Sequence, residues 1–151
     1  MAYQAKKHKR FQEKFELVDA NGDVAHSLNV DLDADDMIVK INRKYADCVR
    51  ALSETTEMRR KARSGEDMAE CFDKLGRAVV DLMETVFGTE DAGVILDFYE
   101  NRYIELTKEV LPFITKVVIP RCIEIRGENK KSILRGYNRK QKRALRNMFK
   151  R

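Results

Sequence analysis

Apolar and polar residues alternate near the start of the chain, from Phe11 through the run FQEKFELV. A second run places apolar residues on alternate positions at Leu28, Val30 and Leu32. A period of two is typical of a strand with one buried face, and Asn21-Gly22 between the runs supplies two residues suited to positive φ, as a type I′ turn requires. We predict a β-hairpin whose apolar face rests on other elements, because an isolated hairpin is only marginally stable.

After the hairpin, apolar residues recur at helical spacing and predict a first helix. Acidic residues at Asp33, Asp35 and Asp36 offer acceptors and negative charge for a helix that begins near Asp35. The helix is expected to run to about Arg63 and to stop at Ser64-Gly65. Its predicted core stripe comprises Met37, Ile38, Ile41, Tyr45, Val49 and Leu52.

A second helix is predicted from Glu66 to Phe87, with Gly88 suited to a left-handed C-terminal cap. Its apolar stripe comprises Met68, Phe72, Leu75, Val79, Leu82, Met83 and Val86. We expect the first two helices to pair antiparallel, because only a short connection separates them.

From Thr89 the apolar spacing is the most regular in the chain and resembles a heptad repeat. The stripe comprises Leu96, Tyr99, Tyr103, Leu106, Val110, Phe113 and Val117. A repeat of only about three heptads favours the core of a bundle over a free coiled coil. Pro112 predicts a kink or break near Leu111, because proline removes one helical hydrogen bond. Pro120 predicts a second interruption, and Gly127-Glu-Asn129 a joint.

The predicted fold class is α+β, predominantly α-helical, with an N-terminal β-hairpin packed on a small helical bundle and a basic C-terminal helical extension. We place the hairpin and bundle in one domain at 1–127 and the extension at 128–151. Within the extension, an amphipathic helix is predicted from Ser132 to Phe149. A total of 7 glycines and 2 prolines in 151 residues agrees with a helical protein.

Charge is distributed unevenly, although the net value is only +5. Residues 1–14 carry a net +4 and residues 126–151 a net +10, whereas residues 15–125 carry −9. Basic ends on an acidic body have two interpretations: solvated terminal segments with no partner, or contact with something anionic, namely an acidic protein, a nucleic acid or a membrane surface. A small nucleic-acid-binding protein that uses its basic termini is therefore one function that the sequence supports.

Neither acidic cluster matches a metal site. Asp19, Asn21 and Asp23 have the spacing of the first calcium-loop ligands, but Val24 occupies the position that requires glycine and Val30 the twelfth position. The cluster at 31–36 departs from the motif in the same way. We interpret both as turn and helix-cap residues and predict no metal.

The remaining candidates for chemistry are isolated. Cys48, Cys71 and Cys122 lack CxxC spacing and fall near apolar positions, which predicts small buried hydrophobes. His8 and His26 are expected to be solvated. Phosphate-binding loops and the common hydrolase motifs are absent from the sequence. We predict a protein that is not an enzyme, with no catalytic residue and no cofactor.

The order of these features resembles the tail assembly chaperones encoded by long-tailed phages and prophages of Gram-positive bacteria. The resemblance covers roughly residues 11–125. It is carried, after a short basic leader, by Phe15-Glu-Leu, Asn21-Gly22-Asp23-Val24, Leu28-x-Val30, Asp33-Ala-Asp-Asp36, Val86-Phe87-Gly88, and the segment from Phe98-Tyr-Glu-Asn-Arg-Tyr103 to Val110-Leu-Pro-Phe-Ile114.

The resemblance implies a cytoplasmic, mainly helical, non-enzymatic chaperone in the bacterial host cell. Such a protein binds the tape-measure protein during tail morphogenesis and is absent from the mature virion. The implied partners are the tape-measure protein and the tail tube protein, and self-association is expected. No membrane contact is expected, because the densest apolar run, Val110 to Ile119, contains Pro112 and Lys116 and is too short to span a bilayer.

Overall fold

The computed structural model describes residues 2–61, 65–135 and 146. Two strands, β1 (Phe11–Val18) and β2 (Val24–Leu32), form an antiparallel hairpin. Five α-helices and one π-helical segment follow: α1 (Ala34–Lys61), α2 (Gly65–Phe87), α3 (Thr89–Phe98), α4 (Tyr103–Phe113), the π-helical segment (Ile114–Val118) and α5 (Ile119–Arg135). The predicted fold class, predominantly helical α+β with an N-terminal hairpin on helices, is confirmed.

The hairpin rests on the helices through its alternate apolar side chains, as predicted. Its buried residues are Phe11, Leu17, Leu28, Val30 and Leu32. Phe15 is half-buried, and its ring lies 5.1 Å from the Phe87 ring and 4.7 Å from the Phe113 ring. Tilted aromatic pairs at these distances are favourable beyond the area that they bury. This cluster joins the hairpin to the ends of α2 and α4.

The hairpin turn differs from the predicted type I′ turn. Gly22 has φ 88°, but Asn21 is not among the described residues with positive φ. The Gly22 N–H donates to the Asp19 carbonyl (3.0 Å), and the Asp19 N–H donates to the Asp23 carbonyl (2.9 Å). These bonds define a longer loop, in which an ordinary turn is followed by one left-handed glycine. One left-handed residue suffices there, so Asn21 keeps a negative φ.

Helix α1 begins where the acidic residues predict a cap. The Asp33 carboxylate accepts from the Asp35 N–H at 3.1 Å, and the Asp33 carbonyl accepts from the Met37 N–H at 2.9 Å. The prediction of Val49 as a core residue is wrong: it is exposed, and Cys48 is fully buried instead. Two turns of helix separate Ile41 from Cys48, whereas Val49 lies about 100° further round. The predicted end at 63–64 lies outside the described residues.

Helices α1 and α2 pair antiparallel, as predicted. Lys44, early in α1, lies 3.7 Å from Asp81, late in α2. Conversely, the hydroxyl of Thr55, late in α1, donates to the carbonyl of Cys71, early in α2, at 3.3 Å. Gly88 follows α2 with φ 85°, which confirms the predicted positive φ, but its ψ of 163° lies outside the left-handed helical region, and Gly88 is the N-cap residue of α3.

The prediction that one continuous helical stripe runs from Leu96 to Val117 is wrong, because the chain turns between α3 and α4. Glu100 and Asn101 have φ 52° and 58°, and the Asn101 N–H donates to the Leu96 carbonyl at 3.0 Å. Asparagine tolerates this left-handed conformation better than most residues. Tyr99 therefore lies in the turn, and the apolar spacing continues on a new helix.

Of the kink or break predicted near Leu111, the break is wrong, because Pro112 does not interrupt the helical chain. The chain stays helical from Tyr103 to Arg135, and the distortion follows the proline as the π-helical segment. There the Ile119 N–H donates to the Ile114 carbonyl, five residues earlier. The extra residue per turn moves the core stripe by one position. Its fully buried apolar residues are Leu106, Val110, Ile114, Val118 and Cys122, with the predicted Phe113 and Val117 only half-buried.

The expected interruption at Pro120 and joint at Gly127-Glu-Asn129 are also wrong, since α5 runs through all of them. Burial of Val118, Cys122 and Ile125 on one face outweighs a single lost hydrogen bond. The domain boundary at 127/128 stays a prediction. The described part of the predicted helix at 132–149 is helical to Arg135, and its remaining apolar positions lie outside the described residues.

Two glycine substitutions should have opposite effects on stability. Gly22→Ala places a Cβ at a positive φ and should lower the free energy of unfolding by about 1–2 kcal/mol. Gly127→Ala, in open space on α5, should raise it by about 0.5–1 kcal/mol. Chemical denaturation measures both, and a destabilising Gly127→Ala would contradict the helical assignment at that position.

Because the core stripe is shifted from Val117 to Val118, substitution of Val118 should destabilise the protein more than substitution of Val117. Val118→Ala removes fully buried methyl groups and should cost about 2 kcal/mol. Val117→Ala should cost less than about 1 kcal/mol, because Val117 is already partly in solvent. Urea unfolding of the two variants gives the comparison, and a larger loss at Val117 would show that the stripe follows the unshifted heptad spacing.

Candidate protein-binding groove

The residues with calcium-loop spacing act locally in the structure. The Asp19 carboxylate accepts from the backbone N–H groups of Asn21 (2.9 Å) and Asp23 (3.0 Å), so it organises the turn. Asp33 caps α1, and Asp31 accepts from the Arg10 guanidinium at 2.7 Å, a hydrogen bond that lowers the pKa of Asp31. Within 2–61 and 65–135, no group of three acidic, histidine or cysteine side chains could hold a metal ion.

The cysteines and histidines do not come together. Cys48 and Cys122 are buried, and desolvation raises the pKa of each thiol to about 11. A thiol with such a pKa is protonated at neutral pH and is a poor nucleophile. The ring of His26 contacts Phe98 at 6.2 Å, and His8 lies 3.6 Å from an Asp35 carboxylate oxygen. Cys71 is half-buried against α1.

An open apolar groove of about 440 Å³ lies between α1 and α4. It is lined by Tyr45, Leu52, Thr56, Ile104, Thr107, Lys108, Leu111, Pro112 and Thr115. The lining residues of α1 are spaced by seven and four positions, and those of the other wall recur about every three or four, so each wall is one face of a helix. The groove is therefore bounded by two helix faces.

The length of the groove follows from its walls. The α1 wall extends from Tyr45 to Thr56, and the opposite wall extends from Ile104 to Thr115. At 1.5 Å per residue, each wall is about 16 Å long, which corresponds to about three turns of helix. An occupant of matching length is a helix of roughly 11 residues.

The polar groups of the groove are largely satisfied within the protein. The hydroxyl groups of Thr56, Thr107 and Thr115 donate to the carbonyls of Leu52 (2.9 Å), Ile104 (2.8 Å) and Leu111 (3.2 Å), respectively. Lys108 is the one charged residue among the lining residues. The surface therefore offers apolar contact with little competing hydrogen bonding, as helix-binding grooves do.

A second cleft, of about 580 Å³, lies where the Tyr103 ring crosses α2. A Cβ at Gly76 would lie 2.9 Å from a Tyr103 ring carbon, so only glycine permits this close approach. Asp73, Arg77 and Asp81 line the cleft with charges of both signs. Its mixed polar lining fits an apolar partner less well than the groove between α1 and α4 does.

The groove combines residues that the sequence assigned to the core or left unassigned. Tyr45 and Leu52 belong to the predicted stripe of the first helix, but they are half-buried and border the groove. Ile104 and Leu111 do not belong to the predicted apolar stripe from Leu96 to Val117. The sequence does contain a signal for these two residues: the apolar face of α4 is wider than the area that one neighbouring helix can cover.

Comparison with protein-family models, with curated proteins and with solved structures finds no match to this chain. No helix within the described ranges is long and apolar enough to cross a membrane. The case for a function therefore depends on the groove itself and on the resemblance drawn from the sequence.

Thiol chemistry offers a test of the buried cysteines. In the native protein, Ellman's reagent at pH 8 should modify Cys71 first, while Cys48 and Cys122 react only as the protein opens, because their pKa values are near 11. Mass spectrometry of labelled peptides identifies the sites. Rapid labelling of Cys122 in folded protein would indicate an activated thiol beside Arg121 and contradict this assignment.

Proposed function

We propose that the protein is a non-enzymatic tail assembly chaperone of a phage or prophage, which binds a helical segment of the tape-measure protein in the groove between α1 and α4. In this proposal it acts in the bacterial cytoplasm during tail morphogenesis and does not remain in the mature virion. The tail tube protein and a second copy of the chain are further partners that the resemblance implies.

The groove is the observation that carries the proposal. Its lining presents the side chains of Leu52, Ile104 and Leu111, together with threonine methyl groups, over about three helical turns. An amphipathic client helix would insert apolar residues at positions i, i+3 or i+4, and i+7. A tape-measure protein is long and helical, so it offers many such segments for a chaperone to cover before the tail tube forms around it.

Local features of the resemblance have matching roles in the fold. Gly22 forms the hairpin turn, Asp33 caps α1, and Gly88 ends α2. The Pro112-Phe-Ile114 step leads into the π-helical segment and places Leu111 and Pro112 on the groove wall. The residues that carry the resemblance thus also build the hairpin, the helical pair and the groove, which supports the proposal.

The decisive experiment measures binding of overlapping tape-measure fragments to the full chain by calorimetry. Burial of apolar surface predicts a clearly negative heat-capacity change on binding. Thr56→Glu, at an exposed position on the groove wall, should weaken binding by about tenfold or more, because a carboxylate would be buried against apolar groups.

Ile123→Glu is the matched control. Ile123 is 56% exposed on α5 and does not line the groove, so this variant adds the same charge elsewhere and should bind normally. Equal effects of Thr56→Glu and Ile123→Glu on binding would show that the groove is not the binding site. Failure of every tape-measure fragment to bind the wild-type chain would remove the chaperone proposal.

A further inference from the structure

The N-terminal leader, residues 2–10, is held against α5 by one asparagine. The Asn129 side chain accepts from the Lys9 backbone N–H at 3.1 Å and donates to the Lys9 carbonyl at 3.1 Å. It also donates to the Asp35 carboxylate at 3.4 Å. Asn129 is only 5% exposed, so these bonds satisfy a buried amide that would otherwise be costly. The contact joins residues 120 positions apart.

Ion pairs hold the same part of the leader. The Lys9 ammonium group lies 3.0 Å from a Glu128 carboxylate oxygen, and its hydrogen bond lowers the pKa of Glu128. The Arg10 guanidinium lies 2.7 Å from an Asp31 carboxylate oxygen. Exposed pairs add little stability individually. The Lys9 pair and the Asn129 bonds hold Lys9 against residues 128–129 of α5, and the Arg10 pair holds the next residue on β2.

This arrangement brings the basic leader beside residues 128–129, at the start of the second basic segment. The leader contributes Lys6 and Lys7, which form no ion pair in the part of the chain that the structure describes. Lys130 and Lys131 follow Asn129 directly and open the basic segment that carries a net +10 over 126–151. Lys9 and Asn129 lie far apart in sequence, whereas the fold makes them neighbours.

A cleft of about 430 Å³ lies between the leader and α5. It is lined by Gln4, Lys6, Lys7, His8, Lys9, Glu128 and Asn129. Glu128 is its one acidic residue, and that carboxylate is already paired with Lys9 and lies 3.7 Å from Arg121. Unpaired lysines around a small cleft suit phosphate oxygens.

The leader also carries an unused aromatic side chain. Tyr3 is 94% exposed and lies one residue before Gln4 of the cleft lining. Lysines that follow a phosphate backbone, beside an aromatic ring free to stack on a base, are the combination that binds single-stranded nucleic acids without sequence preference. A single strand would engage both parts of this surface, its phosphates the lysines and one of its bases the ring.

We propose that the leader and the end of α5 form one composite surface for single-stranded nucleic acid, held together by Asn129. Lys6 and Lys7 contact phosphates, and Tyr3 stacks on a base. The acidic body, at −9 over 15–125, repels the same strand and confines it to this end of the molecule. Binding is independent of sequence and sensitive to salt.

The test is fluorescence anisotropy of the full chain with a labelled 20-nucleotide oligothymidylate over a series of salt concentrations. The double variant Lys6→Gln with Lys7→Gln should weaken binding and reduce the slope of log K against log salt by roughly 1.4, the contribution of two phosphates on a single strand. Tyr3→Ala should weaken binding by roughly tenfold and leave the slope unchanged.

The matched control removes two lysines elsewhere, by Lys74→Gln with Lys116→Gln on α2 and the π-helical segment. It has the same net charge as the leader double variant and should bind more tightly than that variant. Equal losses in the two double variants would show a nonspecific charge effect and overturn the proposal. An unchanged affinity for Tyr3→Ala, or binding to phosphatidylserine vesicles and not to the oligonucleotide, would also overturn it.

Asn129→Ala tests whether the surface is composite. If Asn129 holds the leader beside α5, its loss should weaken oligonucleotide binding and reduce the additional effect of the Lys6 and Lys7 substitutions, so that the effects are not additive. Circular dichroism checks that the variant is folded, and the leader variants keep the proposal testable if it is not. Full additivity would mean that the two basic ends bind as separate tails.

Discussion

One geometric constraint governs the structure: the helix from Tyr103 to Arg135 must keep a single face buried from Leu106 to Asn129. Buried apolar residues recur every four positions from Leu106 to Cys122. On a regular α-helix each such step drifts by about 40°, so four steps would turn the stripe by roughly 160°, out of the core. The π-helical segment absorbs part of that drift, because it adds a residue to one turn.

The register set by this segment also positions the two surfaces proposed to bind partners. On its N-terminal side, Leu111 and Pro112 line the groove. On its C-terminal side, Asn129 faces the leader. Eighteen residues separate Leu111 from Asn129, so the groove and the basic cleft lie about 27 Å apart along the helix. In the two proposals, an apolar client helix and a phosphate chain would therefore bind at different places, each with its own dependence on salt.

Sequence patterns predicted the features that depend on neighbouring residues. The hairpin, the cap at Asp33, the positive φ of Gly88 and the antiparallel pair of α1 and α2 all follow from short-range signals. Of the kink or break predicted near Leu111, the break is wrong, and so is the joint at Gly127, because burial of one helix face over many turns outweighs local propensity. Neither surface was predicted: each joins segments far apart in sequence, and only the packed fold shows that Asn129 reaches Lys9.

A one-residue change within the π-helical segment tests the register most directly. Lys116 is exposed in this segment. Deletion of Lys116 should remove the extra residue and convert the segment to α-helix, with the same face of α5 still buried. The free energy of unfolding should therefore change by less than about 1 kcal/mol. Insertion of one alanine after Lys116 should instead rotate α5 by about 100°, which removes Cys122 and Ile125 from the core and destabilises the protein by several kcal/mol. Urea unfolding of both variants gives the answer. A tolerated insertion together with a destabilising deletion would contradict the account.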